Sequence, residues 1–380
     1  MNRRSLHLYA TVFVTSLGMS TYIYFVPIFA QTFAATFLDL GYIGSANALA
    51  YAITPLMVGY LADRFNRARL FTLGIVINVF AAIVLILSRS VGDIVLFRLL
   101  GGFGYGFFWP TAEALVTDLA PIDKRVREMG LYSVAWASGF LVGPLVGGFI
   151  VQGFGFIWLF AISAALIALA IVPDVLWIVP GYQQSRRISQ NFSGSFSTIL
   201  KLRSWYLMVI CYGIVFSIMS AIFPGYANSV GVSPEKIGLL FTVFGVSRIA
   251  VFATSERFSE FGEKRALITA AGIISVGGLA ITANPDFTGF LVSLIFMGGC
   301  FGVIFPLAIN LISRHFPNER VGFAVGSYET AFGVGFAVGP LLAGTVAAIA
   351  NPSLTFLVIS FCGVMMSVFV ASGRTYQNSK

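Results

Sequence analysis

The ten residues GFLVGPLVGG at positions 139–148 return almost unchanged as GFAVGPLLAG at 335–344, which lies 196 residues further along the chain. When residues 102–148 are laid over 298–344 at that offset, sixteen of 47 positions are identical. The identities are in constant register and include glycines, prolines and the pair Tyr132 and Tyr328. This match indicates an internal duplication, which predicts two halves of similar structure.

The composition places both halves in a membrane. Of 380 residues, 58% are hydrophobic and only 10% are charged, whereas soluble domains have about 25% charged residues. Apolar runs such as 70–88 and 156–172 approach or reach the roughly 20 residues that a helix needs to cross a bilayer. Because these runs do not alternate polar and apolar residues, they predict helices and not barrel strands. The twelve predicted spans lie near 7–30, 41–62, 69–88, 92–118, 129–152, 156–179, 204–228, 236–254, 265–283, 287–313, 321–348 and 353–372.

The basic residues predict the topology. Of the 23 Lys and Arg, 19 fall in the termini and in alternate loops, and two fall in the opposite loops. Since basic residues favour cytoplasmic loops, both termini of this multi-pass protein are expected in the cytoplasm, with the chain in the plasma (inner) membrane. Anionic lipid facing these loops accounts for the net charge of +8 without a nucleic-acid partner. The first apolar run begins like a signal peptide, but its length favours a retained first helix.

The expected fold is an all-α membrane protein with twelve transmembrane helices in two parallel six-helix repeats. The repeats are parallel because the basic loops lie on the same side in both copies. We place the first half at 1–180, a polar cytoplasmic linker at 181–203 and the second half at 204–380. In such arrangements the substrate site lies between the halves, near the middle of the membrane.

The sequence offers no pattern for covalent or metal chemistry. Its three Cys and two His have no metal-ligand spacing, and it lacks a nucleophile elbow and a phosphate-binding loop. We therefore expect no enzyme, no cofactor and no metal, and we expect a monomer.

The loop GYLADRFNRAR at 59–69, together with twelve helices in two halves, resembles the major facilitator superfamily. The resemblance implies a gating latch between helices 2 and 3, completed by an acidic residue at the inner end of helix 4. Asn66 stands where glycine is usual, and asparagine tolerates a left-handed backbone. The second-half counterpart at 255–265 lacks the Asp-Arg pair, so a symmetric latch is not expected. A basic loop that only obeys the topology rule is the alternative. The latch residues would be Gly59, Asp63, Arg64, Arg67, Arg69 and Asp118.

The repeated phrase itself resembles a helix 5 motif of proton-driven antiporters in the same family. Glycines four apart let helices pack closely, and a proline inside a helix bends it. The motif would then seal the outer side against leaks, although general helix packing is an alternative that the second copy favours. The matching residues are Gly139, Gly143, Pro144, Gly147 and Gly148.

Four ionisable residues lie inside predicted spans, where charges are costly and mark functional sites. They are Arg98, Glu113, Arg248 and Glu329, and the positions 196 away are Leu294, Ile309, Ala52 and Ser133. Arg98 lies in a stretch that resembles the family's helix 4 motif, in which an arginine takes part in proton transfer. We expect Glu113 and Glu329 to bind protons or a cationic group alternately, since burial favours the neutral carboxyl. Structural pairing with an arginine or a helix end is the alternative.

Several aromatic residues are candidates for a lipophilic substrate surface, through stacking and cation-π contacts. The candidates are Tyr22, Tyr24, Tyr105, Trp109, Tyr132 and Trp136.

The sequence therefore predicts a secondary transporter that works by alternating access. The leading hypothesis is proton-coupled antiport that exports small amphipathic or cationic compounds. The alternative is a proton-coupled symporter that imports a sugar, an organic acid or another small solute. A membrane-embedded enzyme or a sensor is disfavoured by the lack of catalytic motifs.

Overall fold

The structure is a computed structural model that describes residues 3–121, 124–180, 182, 195–252, 262–316 and 321–373. The described residues form helices and connecting turns, with no strand among them. The first half contains α1 (Arg3–Ile23, continued by Val26–Gln31), α2 (Phe37–Arg64), α3 (Arg67–Leu85), α4 (Val91–Leu119), α5 (Arg125–Phe154) and α6 (Phe156–Leu169). Helix α6 continues through Ile171–Pro173 and a π-helical turn at Asp174–Ile178.

The second half has the same order of long helices. They are α7 (Arg203–Ala221, continued by Phe223–Ser229), α8 (Pro234–Phe252), α9 (Glu263–Ala283), α10 (Phe287–Ser313), α11 (Val321–Ile349) and α12 (Phe356–Ser372). The predicted linker at 181–203 lies largely outside the described residues, apart from Tyr182, a short helix at Ser195–Lys201 and the residues up to Arg203.

Local sequence explains several helix starts. Thr36 and Ser90 each form a capping box, with Asp39 before α2 and with Asp93 before α4. The Asp286 side chain accepts from the backbone of Gly289 at the start of α10. These side chains satisfy backbone N–H groups that a helix start leaves without partners.

The packing repeats from one half to the other. In the first half α1 packs on α5 and α6, α2 on α4, and α3 on α4 and α6. In the second half α7 packs on α11 and α12, α8 on α10, and α9 on α10 and α12. The halves meet where α2 packs on α11 and where α5 packs on α8. These two contacts are equivalent, because α2 corresponds to α8 and α5 corresponds to α11 in the repeat. The prediction of two parallel six-helix repeats is therefore confirmed.

Ten helical segments among the described residues are long and apolar enough to cross a membrane by length and composition. The two predicted spans outside this set correspond to α2 and α8. Polar and small residues such as Ser45 and Asn47 lower the mean hydropathy of α2. Helix α8 contains three charged residues, Glu235, Lys236 and Arg248. Both helices lie at the contact between the halves, so protein and cavity replace lipid over much of their surface.

The halves are joined at the end of the bundle away from Arg3 and Gly373. Gln31 Nε2 donates to Gly225 O (2.9 Å), and Asn228 Nδ2 donates to Gln31 Oε1 (3.0 Å). Further hydrogen bonds run from Ser45 to the α11 backbone and from Thr242 to the α5 backbone. This end is called the joined end below.

Candidate functional site

Two predicted latch residues form a buried ion pair. Arg67 Nη1 lies 2.7 Å from Asp118 Oδ2, with the side chains 6% and 4% exposed. Tyr182 donates from its hydroxyl to the same oxygen at 2.5 Å. Burial and this hydrogen bond raise the pKa of Tyr182, so the phenol remains a donor. The pair ties the first residue of α3 to the end of α4.

Among the other predicted latch residues, Arg69 is the one whose side chain the structure describes. Arg69 is exposed, and the side chains of Gly59, Asp63 and Arg64 lie outside the described part of the chain. The backbone at Asn66 is not left-handed, since its φ is −63°. Asn66 is instead the N-cap of α3 and accepts from Ala68 N at 2.9 Å.

Although the second-half loop lacks the Asp-Arg pair of the loop at 59–69, the described part of the second half contains an ion pair. Arg314 Nη1 lies 3.0 Å from Glu263 Oε1, with side chains 58% and 17% exposed. Glu263 and Arg314 are 196 positions after Arg67 and Asp118, so the pair occupies the equivalent place with the charges exchanged.

The glycines of the helix 5 motif bring α5 against α1 and α8. A Cβ at Gly139 would meet α1 backbone at 2.7 Å, and at Gly143 it would overlap Ser20 Oγ. Gly147 faces Thr21 O, while Gly148 faces the backbone of Pro234 and Glu235 in the other half. The carbonyl of Pro144 lies against Gly238 of α8. The motif therefore contributes to the joined end.

The second copy of the phrase makes the matching contacts. Gly335 and Gly339 face α7, and the region around Pro340 lies against Gly41 and Gly44 of α2. At the opposite ends of α5 and α11, Gly130 and Gly326 have no other atom within 4 Å of an added Cβ. The two equivalent helices thus touch the other half at the joined end and border open space near the termini.

Glu113 of α4 and Glu329 of α11 come from different halves and lie within electrostatic reach of each other. The region between them is called the central space below. Both side chains are exposed, and their charges interact across the gap between the halves. Tyr51 and Tyr132 lie within electrostatic reach of both carboxylates. The structure therefore brings together two of the four predicted charged residues.

Arg248 of α8 is surrounded by aromatic rings. Its guanidinium carbon lies 5.8 Å from the centroid of Trp136 and 6.0 Å from that of Phe305. It also interacts electrostatically with Tyr212 and Tyr328, which interact with Glu329. These aromatic faces already hold a cation of the protein itself.

Arg98 lies apart from the two carboxylates. Its side chain is 6% exposed, and its charge acts on the hydroxyls of Tyr22 and Tyr105. Glu113 is fifteen residues further along α4, or about 22 Å at 1.5 Å per residue. The four charged residues are thus divided between a carboxylate region and a separate Arg98 region.

The predicted aromatic residues fall in four places. Tyr22 and Tyr105 accompany Arg98, and Tyr132 accompanies the carboxylates. Trp109 and Trp136 form an edge-on pair with centroids 6.3 Å apart. Tyr24 stacks on Phe241 of the other half at 4.1 Å.

Two buried acidic residues were missed by the sequence reasoning. Glu128 accepts from the hydroxyl of Tyr9 at 2.5 Å, which links α5 to α1. Asp174 accepts from Thr72 at 2.5 Å, which links the π-helical turn to α3. Asp174 lies inside a predicted span, so the rule that selected Arg98 could have found it. Tyr51, Tyr212 and Tyr328 were also missed, although Tyr328 is the repeat equivalent of Tyr132.

Comparison with known proteins gives consistent matches over the whole chain. The family model described as Major Facilitator Superfamily matches residues 8–208 and 205–379. Multidrug resistance protein 2 of Bacillus subtilis (strain 168) is 26% identical over 388 residues, covering 98% of this chain and 95% of the relative. Quinolone resistance protein NorA of Staphylococcus aureus (strain COL) is 25% identical, covering 96% of each chain.

Solved structures share the fold at lower identity. The nucleoside transporter NupG superposes with a TM-score of 0.80 at 14% identity, covering 99% of this chain and 100% of that one. The D-xylose-proton symporter superposes with a TM-score of 0.77 at 17% identity, covering 99% of each chain. At this identity the likeness concerns the architecture.

Proposed function

Because the chain belongs to the Major Facilitator Superfamily of membrane transporters, we propose that it exchanges protons for small amphipathic cations by alternating access. It is a multi-pass transporter of small molecules and not an enzyme. Proton coupling, export and the chemical class of the substrate are the parts that we propose. We further propose that it acts as a monomer in the plasma membrane, with both termini in the cytoplasm.

The observation that carries the proposal is the meeting of Glu113 and Glu329 in one space. Two carboxylates that repel each other favour taking up positive charge, either as protons or as a bound cation. Because protons and a cation would then compete for the same oxygens, loading one displaces the other. Such competition is the physical basis of exchange in opposite directions.

The aromatic rings near the carboxylates suit the apolar part of such a substrate. Trp109, Trp136 and Phe140 have ring centroids between 6.1 and 6.3 Å apart and form a continuous apolar surface. A planar or bulky lipophilic cation would place its charge at the carboxylates and its rings on this surface.

The relatives support the export direction. The names of the two relatives describe resistance to multiple drugs and to quinolones, which accords with removal of compounds from a cell. Uptake with protons remains the second candidate, because one protein with the same fold is a D-xylose-proton symporter. The sign of the coupled proton movement separates the two.

The experiment uses the full chain in liposomes loaded with a pH-sensitive dye and challenged with tetraphenylphosphonium. We expect entry of this cation to drive protons out, and Glu113→Gln and Glu329→Gln each to abolish that signal. Glu263→Gln removes an acid outside the central space and should leave the signal intact. Protons that enter together with an added sugar or organic acid would overturn antiport. Full exchange in a variant that combines Glu113→Gln with Glu329→Gln would overturn it as well.

A further inference from the structure

A small cavity lies between the halves just inside the joined end. Its volume is about 20 Å³, enough for one or two species the size of water. Both halves contribute to its wall, chiefly through Asn47 and Arg98 on one side and Ser217, Ser220 and Phe336 on the other. The cavity is therefore complete only while the halves meet at this end.

Arg98 brings an unbalanced positive charge to this cavity. Its Nε and Nη1 have no hydrogen-bond partner among the described residues. Neither ion pair found in the described part of the chain includes it. A buried charge without a counter-charge is strongly unfavourable, so the site lacks a negative partner.

The polar side chains around Arg98 are neutral, so they do not balance its charge. The hydroxyls of Tyr22 and Tyr105 are buried beside Arg98 and lie close enough to interact with each other and with the guanidinium. Asn47 Nδ2 donates to the backbone oxygen of Arg98 at 3.1 Å, which removes one nearby acceptor. The guanidinium and the two phenols thus bring several donors together, and no negatively charged acceptor faces them among the described residues.

We propose that this cavity binds a small monovalent anion such as chloride, held by Arg98. A single ion matches both the volume and the charge, whereas an organic acid or sulfate exceeds the space. The proposal does not depend on the proton-cation exchange proposed above, because Glu113 and Glu329 lie in another part of the molecule.

Occupancy of the cavity would also bias the conformational equilibrium. Serines of α7 and residues of α11 complete the wall opposite Arg98, so separation of the halves at the joined end would open the site. A ligand that binds one conformation better stabilises that conformation. We therefore expect the anion to favour the form that is joined here and open near the termini.

The first test follows thermal unfolding of the purified full chain in detergent, in sodium gluconate at constant ionic strength. Replacing gluconate with chloride or bromide should raise the unfolding midpoint with saturation, and sulfate should not. The same rise in sulfate, or no saturable rise with any halide, would overturn the proposal.

Three variants assign the effect to the cavity. Arg98→Gln should lose the chloride response, and Ser220→Val, which fills the cavity and keeps the arginine, should lose it as well. Arg89→Gln removes an exposed arginine just before α4 and should keep the full response. A normal chloride response in both cavity variants would show that chloride binds elsewhere.

The conformational part has its own readout. Spin labels on cysteines introduced at the exposed positions Arg69 and Arg265 report the separation of the halves near the termini. Chloride should increase the fraction of molecules in which the two labels are far apart, and Arg98→Gln should remove that increase. Identical distance distributions in chloride and gluconate would overturn the conformational part of the proposal.

Discussion

Glu263 and Arg314 form, in the second half, the positional counterpart of the buried Arg67–Asp118 pair, with the two charges exchanged. In each half the partners are 51 residues apart in sequence. The two halves have therefore kept an ion pair between the same two helices, while the positions of the positive and the negative residue have been exchanged. The environments differ, since the first pair is almost fully buried and Arg314 is largely exposed.

This difference predicts unequal effects on stability. Asp118→Asn leaves Arg67 buried without its counter-charge, which should lower the free energy of unfolding by about 3–5 kcal/mol. Glu263→Gln breaks a solvent-screened pair and should lower it by about 1 kcal/mol or less. Midpoints of thermal unfolding in detergent compare the two variants. Equal losses would contradict the assigned burial.

Exchanging the charges of the buried pair gives a sharper test. The second half has its acid on the helix where the first half has its arginine. Arg67→Glu combined with Asp118→Arg should therefore recover a large part of the stability that either single change removes. A double variant no more stable than the weaker single variant would show that the site accepts only one orientation.

The close packing of the helix 5 motif predicts a strong effect of a single methyl group. In Gly143→Ala the added Cβ would meet Ser20 Oγ and the backbone nitrogen of Thr21, and overpacking of this kind costs about 1–3 kcal/mol. Gly130→Ala, on the same helix, meets nothing. It should be neutral or stabilising by roughly 0.4–1 kcal/mol. Equal melting behaviour of the two variants would argue against the close approach of α1 and α5.

The aromatic surface predicts a graded effect on binding of a lipophilic cation, if the proposed function holds. Trp136→Ala should weaken tetraphenylphosphonium binding by a few-fold to about 30-fold, the range of a partly desolvated cation-π contact of about 0.5–2 kcal/mol. Trp136→Phe should lose less. Trp177→Ala, which changes an exposed tryptophan stacked on His7, is the control. Equilibrium binding to detergent-solubilised protein measures all three, and unchanged affinity in Trp136→Ala would exclude this surface.

The joined end predicts a conformational effect of Gln31. Gln31→Ala removes two hydrogen bonds between the halves, together about 1–3 kcal/mol. The joined form should lose population, seen as a shorter mean distance between the spin labels at Arg69 and Arg265. Thr32→Ala removes a hydroxyl that bonds only within its own half and should leave the distances unchanged. A similar shift in both variants would mean that these bonds do not hold the halves together.

Much of the architecture follows from the sequence, because continuous apolar runs and a duplicated phrase are local or periodic signals. The Arg67–Asp118 contact followed from a family resemblance and not from spacing. The Glu263–Arg314 pair escaped notice since exchanged charges do not register as identities in a repeat alignment. The surroundings of Arg248 depend on how α5 crosses α8, and no local pattern specifies that crossing.

Helix α8 has a further consequence for how the chain enters the bilayer during synthesis. Its three charged residues make it a poor independent span, and Arg248 in particular needs a cover against lipid. Trp136, which provides one such cover, belongs to a helix made more than a hundred residues earlier. The nascent first half thus supplies a docking surface for the least apolar part of the second, so assembly can proceed in the order of translation.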